Sequence, residues 1–219
     1  MAASIAGTVL AFDCGGQGCS VAVTAAGRLL GRRQALAERG QAQILLPMIA
    51  ELLAECGLGW AELALIGVTV GPGSFTGLRI GLAAARGFGL AAGLPVCGVG
   101  SGEALAAAVP PAERRGRTII AVIDSRRAEL FAQPFDEDLR PLAEPAAMVP
   151  AAVAALAAGP LLAVGDGVAR LGDLPAGSLA VTALVDAAAV AAVAAARFAE
   201  GRPLPSTPLY LRPPDVTLR

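Results

Sequence analysis

Apolar residues come first in short runs and then at helical spacing, and this order occurs twice along the chain. Positions 8–13, 19–24 and 28–37 are short apolar or alternating runs, separated by the turns CGGQG and AAG, and they predict an antiparallel meander of three strands. In 41–57 the residues Ile44, Leu45, Met48, Ile49 and Leu52 form one apolar stripe, which predicts a helix. Pro47 falls inside that pattern and should either kink the helix or mark its first turn. An apolar, partly β-branched strand at 63–70 leads through a glycine-rich turn to an Ala- and Leu-rich helix at 76–92, with Ser74 or Thr76 as its cap, and then to a short strand at 95–98. A short helix at 101–109 and a charged linker at 110–117 follow. Strands at 118–124 and 128–135, a small helix at 151–158, a strand at 161–164 and an Ala-rich helix at 185–200 come next. The tail, 201–219, is rich in proline and has no period. The expected architecture is α/β with two duplicated lobes: 1–109, and a smaller 110–219 carrying the tail.

The stretch 70–98 organises the rest. Small residues recur every fourth position on its helix, at Gly77, Gly81, Ala85 and Gly89, and so share one face. Glycine inside a helix costs about 0.8–1 kcal/mol relative to alanine, so the stripe implies close packing against something. Two readings stay open: a seam with a partner helix, or packing inside the chain's own lobe. The GGQG turn is followed by a strand where a Rossmann loop would open a helix, which excludes dinucleotide binding.

Composition narrows the function. Of 219 residues, 55% are hydrophobic and only 16% charged, so some apolar surface is expected to meet a partner. The net charge of −1 argues against a strong grip on nucleic acid by this chain alone. There is no histidine, which removes the usual general base and the commonest metal ligand. Cys14, Cys19, Cys56 and Cys97 form no CxxC and fit free thiols in a reducing cytoplasm. The N-terminus lacks a basic region and a long enough apolar run for a signal peptide, and charges interrupt the apolar C-terminal stretch, so neither export nor a membrane span is expected.

The sequence GPGSFTGLRIG at 71–81, with the Ala-rich helix and short strand behind it, resembles the bacterial TsaB (YeaZ) family. The PLYLRP of the tail resembles that family's terminal motif. The resemblance implies the actin-like ATPase/sugar kinase fold, which is ribonuclease-H-like. It also implies a non-catalytic subunit that activates and scaffolds a TsaD-type catalytic subunit, with a TsaE-type ATPase joining the assembly. The assembly modifies the tRNA adenosine beside the anticodon to threonylcarbamoyladenosine, so tRNA is met only through the complex. On that basis Gln41, Ile44, Leu45, Met48, Phe75, Gly77, Leu78, Gly81, Ala85 and Gly89 are the expected partner interface, and the same face could pair two copies of the lone chain. Gln41 stands where the family often has a histidine. Asp13, Gly15, Gly16, Gly73 and Ser74 are the expected nucleotide-facing residues, with a plain hairpin and cap as the alternative for Asp13. Ser101 and Leu105 occupy the positions of the metal-binding histidine pair of TsaD, so no metal site is expected. No cofactor is expected, and nucleotide only at a subunit interface. The alternative reading is an ATP-dependent phosphotransferase or ATPase of the same fold. Against it stands the second lobe's first turn, Asp124-Ser125-Arg126-Arg127-Ala128-Glu129, which has no glycine to let phosphate approach the backbone.

Overall fold

The computed structural model describes residues 7–37 and 39–212. The first residues of the N-terminal stretch considered as a signal peptide, 1–6, and the end of the tail, 213–219, lie outside the described residues.

The meander is β1 (Thr8–Asp13), β2 (Gly18–Ala25) and β3 (Arg28–Leu36). Then come α1 (Gln41–Glu55), a 3-10 turn at Trp60–Glu62, β4 (Leu63–Gly71), α2 (Phe75–Ala92), β5 (Val96–Gly100) and α3 (Ser101–Ala108). A one-turn helix α4 (Pro111–Arg114) leads to β6 (Thr118–Asp124), β7 (Leu130–Phe135) and β8 (Ala146–Met148). The chain closes with α5 (Pro150–Val153) and a 3-10 turn at Ala154–Leu156, β9 (Leu161–Val164), a 3-10 turn at Val168–Arg170, β10 (Leu179–Val181) and α6 (Ala187–Ala199). Pro47 lies on the exposed side of α1, which continues through it. Ser74 caps α2 by accepting from the Gly77 N–H at 3.3 Å, and Gly93 ends that helix at φ 65°.

The two five-stranded sheets have the same topology. The first runs β3-β2-β1-β4-β5 and the second β8-β7-β6-β9-β10. In each, the first three strands are antiparallel and the last two join the first in parallel. Each sheet is followed by a helix, α3 or α6. This is the duplicated actin-like α/β fold. The second copy is reduced: α5 and two 3-10 turns stand where the first has α1 and α2.

The period-two pattern of β1 divides its side chains between two cores. Leu10 and Phe12 point toward α1 and α2, while Val9 and Ala11 point to the opposite face. That opposite face packs on α3 and α6, which also cover Ile119, Ala121, Val164 and Phe135 of the second sheet, so one core spans both lobes. The expected division at 109/110 separates the sheets and not the helices. The last helix, α6, returns to the first sheet, where Gly67 gives it room: a Cβ there would lie 3.0 Å from the Ala194 Cβ. A third, smaller core around Ile120, Val122, Leu130 and Leu161 sits on the outer face of the second sheet.

Candidate functional site

A cleft of about 970 Å³ opens between the lobes. It lies where β1 and β6 both end in an aspartate. Each carboxylate closes the turn that follows it. Asp13 Oδ1 accepts from the Gly15 N–H at 3.0 Å, and Asp124 Oδ1 accepts from the Arg126 N–H at 2.9 Å, so the duplication extends to the turn chemistry.

The two turns then diverge. Asp13 is buried, and the Thr69 hydroxyl also donates to its Oδ1 at 2.5 Å. Burial pushes this carboxyl above its ordinary range; hydrogen bonds from Thr69, Gly15 and Gly16 pull it back, and the charge of Asp166 adds to the rise. Of the residues expected to face nucleotide, Gly15, Gly16, Gly73 and Ser74 line the cleft, whereas Asp13 lies beneath its lining. The turn is locked to the start of α2: Ser74 N–H donates to Gly15 O at 2.8 Å, and a Cβ on Gly73 would lie 2.6 Å from Gly15 O.

The second turn is filled by a side chain from elsewhere. Arg170 donates from Nη1 to Asp124 Oδ1 at 2.5 Å, and from Nη2 to Arg127 O at 2.6 Å and Ala128 O at 2.9 Å. The turn therefore directs carbonyls at a guanidinium, the reverse of a phosphate cradle. Arg126 and Arg127 line the cleft from its rim. Asp166 joins the lobes: its Oδ1 accepts from the Asp124 N–H at 2.8 Å and its Oδ2 from Gln17 Nε2 at 3.3 Å. The tail closes one side. Leu209 N–H donates to Val70 O at 2.7 Å, Tyr210 lies 4.9 Å from Phe75 with the Arg79 guanidinium 3.8 Å over the Phe75 ring, and Arg212 pairs with Glu129 of the second lobe.

The second candidate surface is the two-helix layer of α1 and α2, and here the structure corrects the sequence reading. Gly77, Leu78, Gly81, Ala85 and Gly89 are buried against the chain's own sheet. A Cβ on Gly77 would sit 1.9 Å from Cys14 O, one on Gly89 2.6 Å from Val96 Cγ2, and one on Gly81 3.6 Å from Val68 Cγ2. The stripe is small because the β1–β2 turn and β5 come that close. Leu45 and Met48 are core residues too, and Ile44 and Phe75 are half-buried. Gln41 is buried and donates from Nε2 to Ala37 O at 3.3 Å, so it secures the start of α1. Outward the layer presents Leu46, Pro47 and Ala50 from α1 and Ala83, Gly87 and Leu90 from α2, beside the exposed Gln43, Glu51, Arg79 and Arg86. Leu46 is 50% exposed and Leu90 88%.

Ser101 is buried at the start of α3 with an unpartnered Oγ, and Leu105 is buried one turn on. Among the described residues no group of three His, Cys, Asp or Glu side chains is placed to hold a metal ion. No helix among them is long and apolar enough to cross a membrane. Sequence reasoning missed Arg170, which no motif connects to a turn more than forty residues earlier, and the outward apolar set, which the spacing of the exposed alanines with Leu46 and Leu90 could have given.

Residues 34–196 match the family model described as TsaD: tRNA N6-adenosine threonylcarbamoyltransferase. The chain is 37% identical over 134 residues to the tRNA threonylcarbamoyladenosine biosynthesis protein TsaB of Haemophilus influenzae, a match covering 61% of this chain and 56% of that one. It spans little more than half the length of this relative, and likewise 55% of Escherichia coli TsaB, at 33% identity. A Mycobacterium tuberculosis protein is 34% identical over 225 residues, 95% of this chain and 93% of its own. YeaZ from Pseudomonas aeruginosa superposes with a TM-score of 0.80 at 30% identity, over 94% of this chain and all of that one. With the glycine-rich turn, the duplicated sheets and these relatives in agreement, the chain belongs to the TsaB/YeaZ family.

Proposed function

We propose that this chain is a non-catalytic, complex-forming subunit in the synthesis of threonylcarbamoyladenosine in tRNA, the pathway that names its TsaB relatives. Its partner is a TsaD-type catalytic subunit, which it holds in an active shape, and a TsaE-type ATPase joins the pair. The observation that carries this reading is the outward side of α1 and α2, where Leu46, Pro47, Ala50, Ala83, Gly87 and Leu90 are exposed apolar residues rimmed by Glu51, Arg79 and Arg86. A stable interface there buries roughly 1,200–2,000 Å² in total. The chain meets tRNA only within the complex. The filled second turn and the lack of histidine support a role without chemistry of its own. In the absence of the partner, the same face pairs two copies of the chain about a twofold axis.

The test is light scattering after size exclusion, on the chain alone and mixed with the TsaD-type subunit of the same organism. A one-to-one complex is expected, and it should be lost in Leu46→Glu/Leu90→Glu while the variant stays folded. Two unshifted peaks with the unaltered chain refute the proposal. The cleft keeps an enzymatic reading open to trial: ATP turnover by the isolated chain, abolished in Asp13→Ala, would replace the partner reading with a phosphotransferase or ATPase.

A further inference from the structure

Asp13 pairs with Ser20 across the β1–β2 hairpin, so the next residues outward, Cys14 and Cys19, face each other. Their sulfurs lie 3.1 Å apart, roughly 1 Å beyond a disulfide bond of about 2.05 Å. The turn backbone is held to α2 by the Ser74 N–H on Gly15 O, so the remaining closure falls on rotation of the two cysteine side chains. Both thiols are buried in the same core, at 1% and 2% exposure, and a narrow crevice lined by Gly16, Gly18, Cys19 and Gln34 reaches Cys19.

We propose that Cys14 and Cys19 are an oxidation site at which a small hydroperoxide converts the dithiol into an intramolecular disulfide. The two sulfurs differ in role. Either thiol can donate to the other, and Cys19 also donates to Gln41 O at 3.6 Å; the crevice reaches Cys19 and not Cys14, so the Cys19 sulfur meets the oxidant first and Cys14 stands behind it. Cys19 Sγ attacks one peroxide oxygen. The O–O bond breaks, the other oxygen leaves as hydroxide and takes up a proton to become water, and Cys19 becomes a sulfenic acid. Cys14 Sγ then attacks the Cys19 sulfur. The S–S bond forms, the S–O bond breaks, and the hydroxyl leaves with the Cys14 proton as a second water. The thiols lose two electrons and the peroxide gains two.

Burial selects for small oxidants and keeps the reaction slow. The product ties together the ends of the turn that carries Gly15 and Gly16 into the cleft and that receives the Ser74 N–H, so oxidation fixes one wall of the cleft. Cys97 lies in the core on the other side of the sheet and Cys56 is half-buried at the end of α1, so these two report on general oxidation.

The experiment treats the folded chain with hydrogen peroxide, quenches with catalase, alkylates in denaturant and digests with trypsin. Peptide 1–28 contains both cysteines and no internal cleavage site. The expected product is that peptide unalkylated and two hydrogens lighter, regaining both thiols with dithiothreitol, while Cys56 and Cys97 remain alkylated. Cys14→Ser should instead leave a Cys19 sulfenic acid that dimedone traps, an adduct absent from the unaltered chain. Peptide 1–28 alkylated at both positions after exposure that oxidises Cys56, or a Cys19 sulfinic acid beside an alkylated Cys14, would overturn the proposal. Both of those outcomes are read on the unaltered chain, so the folding of the variant does not decide the matter.

Discussion

The four glycines of α2 report how closely each side of the helix is packed: alanine should destabilise at two of them and stabilise at the other two. At Gly77 the new Cβ would lie 1.9 Å from Cys14 O and 2.9 Å from Cys14 C, both backbone atoms. An ordinary C···O approach is about 3.3 Å, so the start of α2 and the β1–β2 turn must part by roughly 1 Å or more. Overpacking of this kind costs about 1–3 kcal/mol, and so near a helix start the gain in helix propensity offsets little of it. At Gly89 the clash is with Val96 Cγ2 at 2.6 Å and Leu94 O at 3.0 Å, and a shift of the valine absorbs part of it, leaving a net loss of about 1 kcal/mol. At Gly81 the nearest atom is at 3.6 Å, an ordinary contact, and at Gly87 nothing lies within 4 Å. These two substitutions should therefore stabilise by about 0.8–1 kcal/mol, the glycine-to-alanine difference in a helix. Urea unfolding reads the series directly. With a slope of about 2 kcal/mol/M, Gly87→Ala raises the midpoint by roughly 0.4–0.5 M and Gly77→Ala lowers it by roughly 0.5–1.5 M, at unchanged slope. Equal midpoints for Gly77→Ala and Gly87→Ala would refute the inward packing of the stripe and restore it as a candidate seam. The same geometry makes Gly81→Leu a folding defect, since a leucine there drives into Val68.

Other consequences can be checked more briefly. Leu46→Glu and Leu90→Glu should each leave thermal stability of the lone chain within about 0.5 kcal/mol, because both side chains are exposed, yet weaken the mixed complex by tenfold or more in titration calorimetry. Asp13 has a raised carboxyl, so the folded state holds a proton that the unfolded chain gives up near its ordinary value of about 3.9, and stability falls as pH rises from there through the folded value. Relative to the parent chain, Asp13→Asn should therefore gain in melting temperature as pH is raised from 4 to 7; a gap that does not change with pH would contradict the assignment. Arg170→Met strands the Arg127 and Ala128 carbonyls and the Asp124 carboxylate, and should cost about 2–4 kcal/mol in urea unfolding. A loss under about 0.5 kcal/mol would mean that water replaces the guanidinium.

The strands of the first lobe were legible because each run is long enough to show its period, and the glycine-rich turn fixed where β4 ends and α2 begins. The second lobe was less so. Strands β8 and β10 have three residues each, too few to show an alternation, and they are edge strands with no buried residue. The helix expected at 151–158 is a four-residue helix followed by a 3-10 turn. The stripe of α2 carried a real constraint of close approach, but spacing gives the width of a face and not its direction. Direction came from contacts with other elements: Gly77 on Cys14, Gly89 on Val96. In the same way α6 could be read as a helix and not as a first-lobe helix, since the room made for it is the missing side chain of Gly67 on another element. At the cleft, Gly15, Gly16, Gly73 and Ser74 stood out in sequence, while Arg170 and Asp166, which organise the second turn, lie after β9 and carry no local signature of that role.

The unequal wear of the two lobes bears on what the chain does. A nucleotide-cleaving member of this fold needs two facing turns whose backbone amides are free for phosphate. Here Gly15 and Gly16 donate to Asp13, and the second turn folds its carbonyls around Arg170. The second lobe has also lost the long helices that would correspond to α1 and α2. Those two helices persist in the first lobe at 15 and 18 residues, with exposed alanine, leucine, proline and glycine beside Glu51, Arg79 and Arg86 on the side that the fold itself does not bury. Exposed apolar helix surface adds nothing to the stability of a lone chain, whereas the same residues become favourable once water is removed from them. Turns closed on their own polar groups and apolar residues kept outward are what the proposed role, acting through a partner, requires of this chain.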